Sequence, residues 1–413
     1  MYTLSKWKAT PALTAATFFL GAMILLCTFA TGAMAAEKFP LYPCIQPNVH
    51  FWEQVYSRYT TRQGILHDID NLSQVYSIID LVDPKIPGAT AINNARISSK
   101  KEQLKNILTR LGNGQPPRTA EERRIASLFH KQPRSAFHKA KDNFRFQLGQ
   151  KDRFHEGVIR SGKYLAQFQK IFTAHRLPVE LAYLPHVESS FNPKAYSKAG
   201  AAGLWQFTRS TGKDYMNINQ LVDERYDPYL ATQAAARLLK ENYAALQSWP
   251  LAITAYNYGK AGMMRALKEH GSYVNIFNSY DQGYFKFASR NFYAEFVAAT
   301  RVAKRWEKHP NLVPEKPEAT FTLRLKEDTP ITRLRTTFGL NHEQFIRLNP
   351  ALQKPVISGQ HPVPKGALVR LPAKARAKES RVAFINPPKS PAIKMPSKLA
   401  APRGSSGVRY SMN

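Results

Sequence analysis

Apolar residues return every three or four positions through most of the chain ahead of Pro310, the period of a helix with one buried face. Leu104, Ile107, Leu108 and Leu111 form one such stripe, with Gly112 placed as its stop. The stretches FWEQVYSRYTTRQGILHDID and SKKEQLKNILTRLG are therefore read as helical. Pro116-Pro117 breaks the pattern, and TAEERRIASLFH restarts it with Thr119 as N-cap and Glu122 as its capping-box partner. Lys139 to His175 reads as one or two long amphipathic helices, so residues 36–160 are expected to be a helical N-terminal region. Further on, Asp227-Pro228 and Ser248-Trp249-Pro250 each open a helix. Gly259 closes the second, and a last helix runs from about Ser289 to Trp306.

The period then changes. Phe321, Leu323 and Leu325 alternate with polar residues, the signature of a strand with one face buried. ITRLRTTFGLNHEQFIRLN predicts two short helices, and ALVRLP a closing strand, which makes 320–372 a small α+β module. Residues 373–413 carry nine Lys or Arg against the single acid Glu379, too few apolar groups to fold alone, and are expected to be a disordered basic tail.

Charge and export narrow the partners. Lys and Arg number 59 against 29 Asp and Glu, a formal net charge of +30. Such a balance suits an anionic partner: nucleic acid, a membrane surface or acidic wall polymer. Lys6 and Lys8 precede an apolar run from Pro11 to about Ala30, which ends in Ala33-Met34-Ala35. These are the parts of a secretory signal cut after Ala35, with an uncleaved membrane anchor as the alternative. An exported protein meets little nucleic acid, which moves the weight to envelope polymers. Leu26 before Cys27 does not match a lipoprotein site, and Cys44 would be the one cysteine left, so no internal disulfide is expected.

One acid stands apart. In LPHVESSFNPKAYSKAGAAGLWQF, residues 184–207, Glu188 is the only carboxylate, set among small and apolar residues. A carboxyl that donates a proton near neutral pH needs its pKa raised, and a dry pocket without a cationic partner does this. Pro185 crowds the carbonyl of Leu181 and predicts a kink just before the glutamate. Loops this rich in Gly and Ala occur where backbone must approach something closely. The bland alternative is a solvated glutamate near a helix end.

Four ordered motifs sharpen the choice. Glu188-Ser189, Ser197, Gly203-Leu204-Trp205-Gln206 and Ala255-Tyr256-Asn257 resemble the catalytic module of the lytic transglycosylases, glycoside hydrolase family 23, relatives of goose-type lysozyme. FASRNFYAEFVAA is similar to the late helix in which that family keeps a cleft tyrosine, here Tyr293. Trp205 departs from the commoner Met. The resemblance covers roughly residues 165–306 and implies a mainly α, lysozyme-like catalytic domain over 161–310, following the α-helical N-terminal region. Residues 320–372 resemble a degenerate lysin motif, a glycan-binding module, with Glu327-Asp328-Thr329-Pro330 in place of Gly-Asp-Thr-Leu. The alternative for that module is a spacer of the same shape.

The resemblance implies cleavage of the peptidoglycan bond between N-acetylmuramic acid and N-acetylglucosamine, with Glu188 acting first as acid and then as base. Ordinary glycosidases use two carboxylates, but no second acid follows Glu188 before Asp214. The resemblance therefore points to help from the substrate's own acetamido group. Ser189, Ser197, Gly203, Gln206, Tyr256, Asn257 and Tyr293 are the implied substrate-binding residues; the amides and hydroxyls suit sugar groups. Singly, each tyrosine is as readily explained by core packing, and Ser197 by stabilising a turn. His186 would face away from Glu188 and is read as structural. The eleven His are scattered without ligand spacing, and no phosphate loop or dinucleotide fingerprint occurs, so neither metal nor cofactor is expected. The expected partners are peptidoglycan glycan strands and, peripherally, membrane phospholipid, with no nucleic acid. The expected location is the periplasm. A hydrolase of the goose-lysozyme type and a non-catalytic wall-binding protein are the competing readings.

Overall fold

A computed structural model describes residues 38–381 and 384–385; the expected export signal and the end of the expected tail lie outside the described residues. The chain divides into Met1–Lys38 and Phe39–Asn413, and the fold below is that of the second unit.

Helix α1 (Gln46–Ser57) begins with Pro47 in its first turn and buries Val49, Trp52 and Val55. Strands β1 (Gln63–Asp68) and β2 (Val75–Asp80) follow as an antiparallel pair. Next come α2 (Ala89–Gly112), α3 (Ala120–Ser127), α4 (Ser135–Asp142) and strand β3 (Phe144–Leu148). The sheet order is β2-β1-β3, all antiparallel.

The expectation of a wholly helical region 36–160 is corrected here. The helical stretch that begins at Phe51 stops at Ser57, and its second half is the central strand of this sheet. β1 is buried on both faces: Ile65 joins the core beneath α1, and Leu66 joins a separate core under α2. A strand covered on both sides shows no alternation, so periodicity could not separate it from a buried helix. The Lys139–His175 stretch is likewise interrupted by β3, an edge strand. Thr119 caps α3 as expected, accepting from Glu122 N at 3.1 Å. Glu122, however, turns to Arg118 N and the Arg110 guanidinium, so only half of the capping box forms.

The second region is helical. Helices α5 (Lys151–Ser161), α6 (Leu165–Ala174), α7 (Pro185–Ser189) and α8 (Arg209–Lys213) precede α9 (Pro228–Leu246) and α10 (Trp249–Tyr258). Then come α11 (Lys260–His270), α12 (Tyr273–Ser279) and α13 (Phe287–Glu307). Asp227 caps α9, accepting from Tyr229 N and Leu230 N at 2.9 Å each. α10 ends at Tyr258, with Gly259 at φ +97°. α13 packs against α1, α10 and α7, and it is buried around most of its circumference.

The third region holds β4 (Thr320–Leu325), α14 (Ile331–Phe338), α15 (His342–Leu348), α16 (Lys354–Ile357) and β5 (Leu368–Pro372). β4 and β5 pair antiparallel over their own core, and β4 alternates as its sequence predicts, with Phe321, Leu323 and Leu325 buried. Order continues past Pro372. Ala373–Arg381 forms 3-10 turns, and β6 (Phe384–Ile385) adds to the other edge of β4. The expected disorder is therefore corrected for residues 373–381 and 384–385. Ala375 enters the module's core, a contact that charge counting does not reveal.

Candidate active site

The approach to Glu188 is built by prolines. Pro178 leads into 3-10 turns over Val179–Tyr183, and Pro185 opens the single-turn helix α7. In place of a kinked α-helix there are two short helical pieces meeting at Leu184, because Pro185 cannot donate back along a continuous helix. Glu188 lies in the last turn of α7 and is fully buried.

The chain leaves α7 through two successive left-handed residues, Ser190 at φ +49° and Phe191 at φ +53°. Neither is glycine, so the turn carries steric strain of the kind that persists when its surroundings over-determine it. Here α5 supplies those surroundings. Arg160 Nη2 donates to Ser190 O at 2.8 Å, and Gly157 lets the same carbonyl come so near that a Cβ would stand 2.8 Å from it. His186 points into a ring cluster, with its centroid 4.5 Å from Phe191 and 4.9 Å from Phe154. Burial drives its pKa down to about 3, with the Arg160 charge adding to the effect, so it is neutral at physiological pH. That is the structural role expected of it.

Opposite α7 runs the loop from Asn192 to Thr208. Isolated bridges pair Tyr196 with Ala202 and Ala202 with Phe207, folding the loop back on itself. Ser197 occupies the turn between, where its hydroxyl accepts from Ala201 N at 3.0 Å. Ser189 Oγ donates to Leu204 O at 2.8 Å and ties the glutamate's helix to the loop. Tyr256 OH donates to Trp205 O at 2.8 Å, bringing in α10, and Trp205 Nε1 donates to Thr232 Oγ1 at 2.8 Å, bringing in α9. Gly203 sits at φ +74°, and a Cβ there would stand 2.0 Å from Arg225 O. Only glycine fits that spot.

Gln206, itself left-handed at φ +46°, donates Nε2 to Gly203 O at 2.9 Å. Its Oε1 is buried and accepts no hydrogen bond among the described residues. Asn257 follows Tyr256 at the end of α10, and its Oδ1 accepts from Ser289 Oγ at 2.7 Å. Tyr293 lies one turn further along α13, fully buried, and donates to Pro40 O at 3.0 Å. The structure thus joins Ser189, Gly203, Gln206 and Tyr256 in one hydrogen-bonded unit, with Glu188 beside Ser189 on α7. Asn257 attaches to it through α10, Ser197 marks the turn of the loop, and Tyr293 is engaged by the N-terminal strap at Pro40.

Two features were not found by reading the sequence. Arg225 and Asp223 form a buried bidentate ion pair, Nη2–Oδ2 2.7 Å and Nε–Oδ1 2.9 Å. Arg225 Nη1 also donates to Gly200 O at 2.8 Å and Phe207 O at 3.0 Å. VDERYDPY offered no period or motif to mark this pair beyond the Asp227-Pro228 helix start. The second feature is Glu295, a buried carboxylate on α13. The Tyr56 hydroxyl hydrogen-bonds it, and the Arg145 guanidinium interacts with its charge. Its sequence distance from Glu188 hid it from any local motif. Among the described residues no three His, Cys, Asp or Glu side chains gather closely enough to hold a metal ion.

Glu188 is thus a buried acid set against a glycine-bearing loop and a tyrosine in a helical frame. Residues 168–275 match the family model "Transglycosylase SLT domain", so this segment is similar to that family. Over 123 residues, 29% of this chain, it is 35% identical to membrane-bound lytic murein transglycosylase D of Escherichia coli. The chain spans about a quarter of that relative's length, the matched segment being 27% of it. Among solved structures, the 70 kDa soluble lytic transglycosylase of Escherichia coli is similar at 18% identity and TM-score 0.30, over 37% of this chain and 26% of that one. The lytic transglycosylase Slt of Pseudomonas aeruginosa gives 16% and 0.29, over 37% and 25%.

Proposed function

We propose that this protein is a periplasmic lytic transglycosylase that cuts the bond between N-acetylmuramic acid and N-acetylglucosamine in peptidoglycan. The observation that carries the reading is the burial of Glu188 in a helix whose next residue is hydrogen-bonded to the Gly203–Gln206 loop, inside the segment matching the SLT family.

In this mechanism Glu188 starts protonated and gives its proton to the glycosidic oxygen, so that the N-acetylglucosamine end leaves as an alcohol. The acetamido carbonyl of the muramyl sugar stabilises the positive charge developing at its anomeric carbon, a route among the exceptions to the two-carboxylate rule. Glu188, now ionised, takes the proton from the same sugar's C6 hydroxyl. That oxygen bonds to the anomeric carbon and closes a 1,6-anhydro ring. The acid ends as it began, and no water is consumed. Gln206 Oε1 is the acceptor offered to a sugar hydroxyl or amide, since a buried oxygen without a protein partner favours a ligand that supplies one. Ser197, Asn257 and Tyr293 complete the sugar contacts. Ser189, Gly203 and Tyr256 hold the loop that carries Gln206.

The 320–372 module is read as lysin-motif-like, holding glycan strands near the site or spacing it from them. The basic surface adds attraction to the anionic wall and to phospholipid head groups. Among the described residues no helix is long and apolar enough to cross a membrane. Mass spectrometry of digested sacculi tests the reaction type: anhydro-muramyl ends are expected, and reducing ends would replace this reading with hydrolysis. Glu188→Gln keeps the shape and removes the proton. Unchanged turnover by that variant would remove Glu188 from the role of acid.

A further inference from the structure

The best-held part of the loop beside Glu188 is a place where no candidate substrate residue lies. Arg225 is nearly enclosed, at 4% exposure, and every contact it makes is an anchor. Asp223 fixes its guanidinium by two hydrogen bonds, a fork that a lysine could not reproduce. The remaining amino group, Nη1, bonds Gly200 O and Phe207 O, one near each end of the segment that contains Gly203 and Gln206. The backbone carbonyl of the same residue lies against Gly203. One arginine therefore sets both the span of the loop and the height of its middle.

Asp223 is in turn seated from outside the helical region. Asp223 N donates to Ala351 O at 2.7 Å, and Gln353 N donates to Leu221 O at 2.9 Å. Val222 pairs with Leu352 in an isolated bridge and enters the core of the 320–372 module. Arg370 on β5 lies over the Tyr229 ring at 4.2 Å, fastening the same junction from the next element. The segment Leu221–Arg225 is thus a splint, with one end built into the C-terminal module and the other into the loop beside Glu188.

We propose that the Asp223–Arg225 pair is a positioning unit for catalysis, holding Gly200–Phe207 in the shape that presents Gln206 beside Glu188, and that the C-terminal module seats this unit. The inference rests on the reading of Glu188's site given above. A displacement of about 1 Å at such a loop is enough to lower turnover by on the order of 100-fold. The charged groups of the pair are taken up by each other and by the Gly200 and Phe207 carbonyls, so the effect is expected in kcat and not in KM.

Three variants of the full chain test this on purified sacculi, beside wild type and Glu188→Gln. Arg225→Lys keeps the charge but loses the fork; kcat is expected to fall by roughly 10- to 100-fold, with KM within about threefold. Arg225→Met with Asp223→Asn removes the pair together, so that neither charge is stranded. This double variant is expected to unfold within a few degrees of wild type yet to remain as slow as Arg225→Lys. Arg225→Ala with added guanidinium is expected to regain part of its kcat. Full turnover by the double variant would overturn the proposal, as would losses that simply follow the fraction unfolded. An inactive wild type, or an active Glu188→Gln, would instead refute the reading of the site.

Discussion

Gly203→Ala is the sharpest single test of the loop's geometry. The new methyl would stand 2.0 Å from Arg225 O, whereas even a close C–H···O contact keeps carbon and oxygen about 3.3 Å apart. Something must retreat by about 1.3 Å, and the obstacle is backbone whose side chain is anchored by four hydrogen bonds beyond it. The left-handed backbone at φ +74° adds about 1–2 kcal/mol for any residue with a Cβ. Together with the overpacking, a loss of about 2–5 kcal/mol of stability is expected. Because the displaced atoms belong to the segment carrying Gln206, turnover of the folded fraction should fall on the order of 100-fold. Gly212→Ala touches the same arginine more gently: its Cβ would meet Ile218 Cδ1 at 2.6 Å and Arg225 Cδ at 3.2 Å, both side-chain atoms, while α8 gains helix propensity of about 1 kcal/mol, so a smaller loss is expected. Urea unfolding and sacculus turnover measure both variants. Equal stability and activity for Gly203→Ala and wild type would refute the close approach and the argument built upon it.

Other expectations follow from the same structure. Glu295→Gln should cost about 1–3 kcal/mol of stability through the altered bond with Tyr56 yet keep sacculus turnover within about threefold; loss as deep as that of Glu188→Gln would show that two carboxylates act. His186 is held near pKa 3 and His67 near 4 by burial, both below their ordinary 6.5. Since the unfolded chain binds those protons first, stability should fall as pH drops from about 6.5 towards 4, by up to about 1.4 kcal/mol per pH unit for each histidine. His186→Phe should remove one such contribution in urea unfolding at pH 7, 6 and 5, and an unchanged slope would contradict the burial argument. Binding to sacculi should weaken as salt rises, measured by co-sedimentation across a salt series, because the net charge of +30 acts through screened attraction; salt-independent pelleting would count against it.

How much of this could be read before folding depended on where the signal was stored. Short-range chemistry survived well. Asp227 before Pro228 caps α9, Gly259 ends α10, and the alternation from Phe321 to Leu325 is a half-buried strand. The residues around Glu188 were named through their resemblance to a family's motifs, and folding brings Ser189, Gly203, Gln206 and Tyr256 together by hydrogen bonds. β1 could not be seen, since a strand buried on both faces looks like any apolar run. The tail's first turns were missed because one small residue, Ala375, enters a core that composition does not describe.

The sequence by itself determined which groups are available for chemistry: one acid among small residues, two amides, two tyrosines and a glycine that tolerates positive φ. Only the tertiary structure decided how they are held. Ser189 reaches Leu204 and Tyr256 reaches Trp205 across 15 and 51 residues, and Arg225 grips both ends of a loop whose far support, Ala351, comes from another core. Local preferences act between neighbours along the chain, whereas the placement of a buried charge depends on partners that only packing brings within hydrogen-bonding distance.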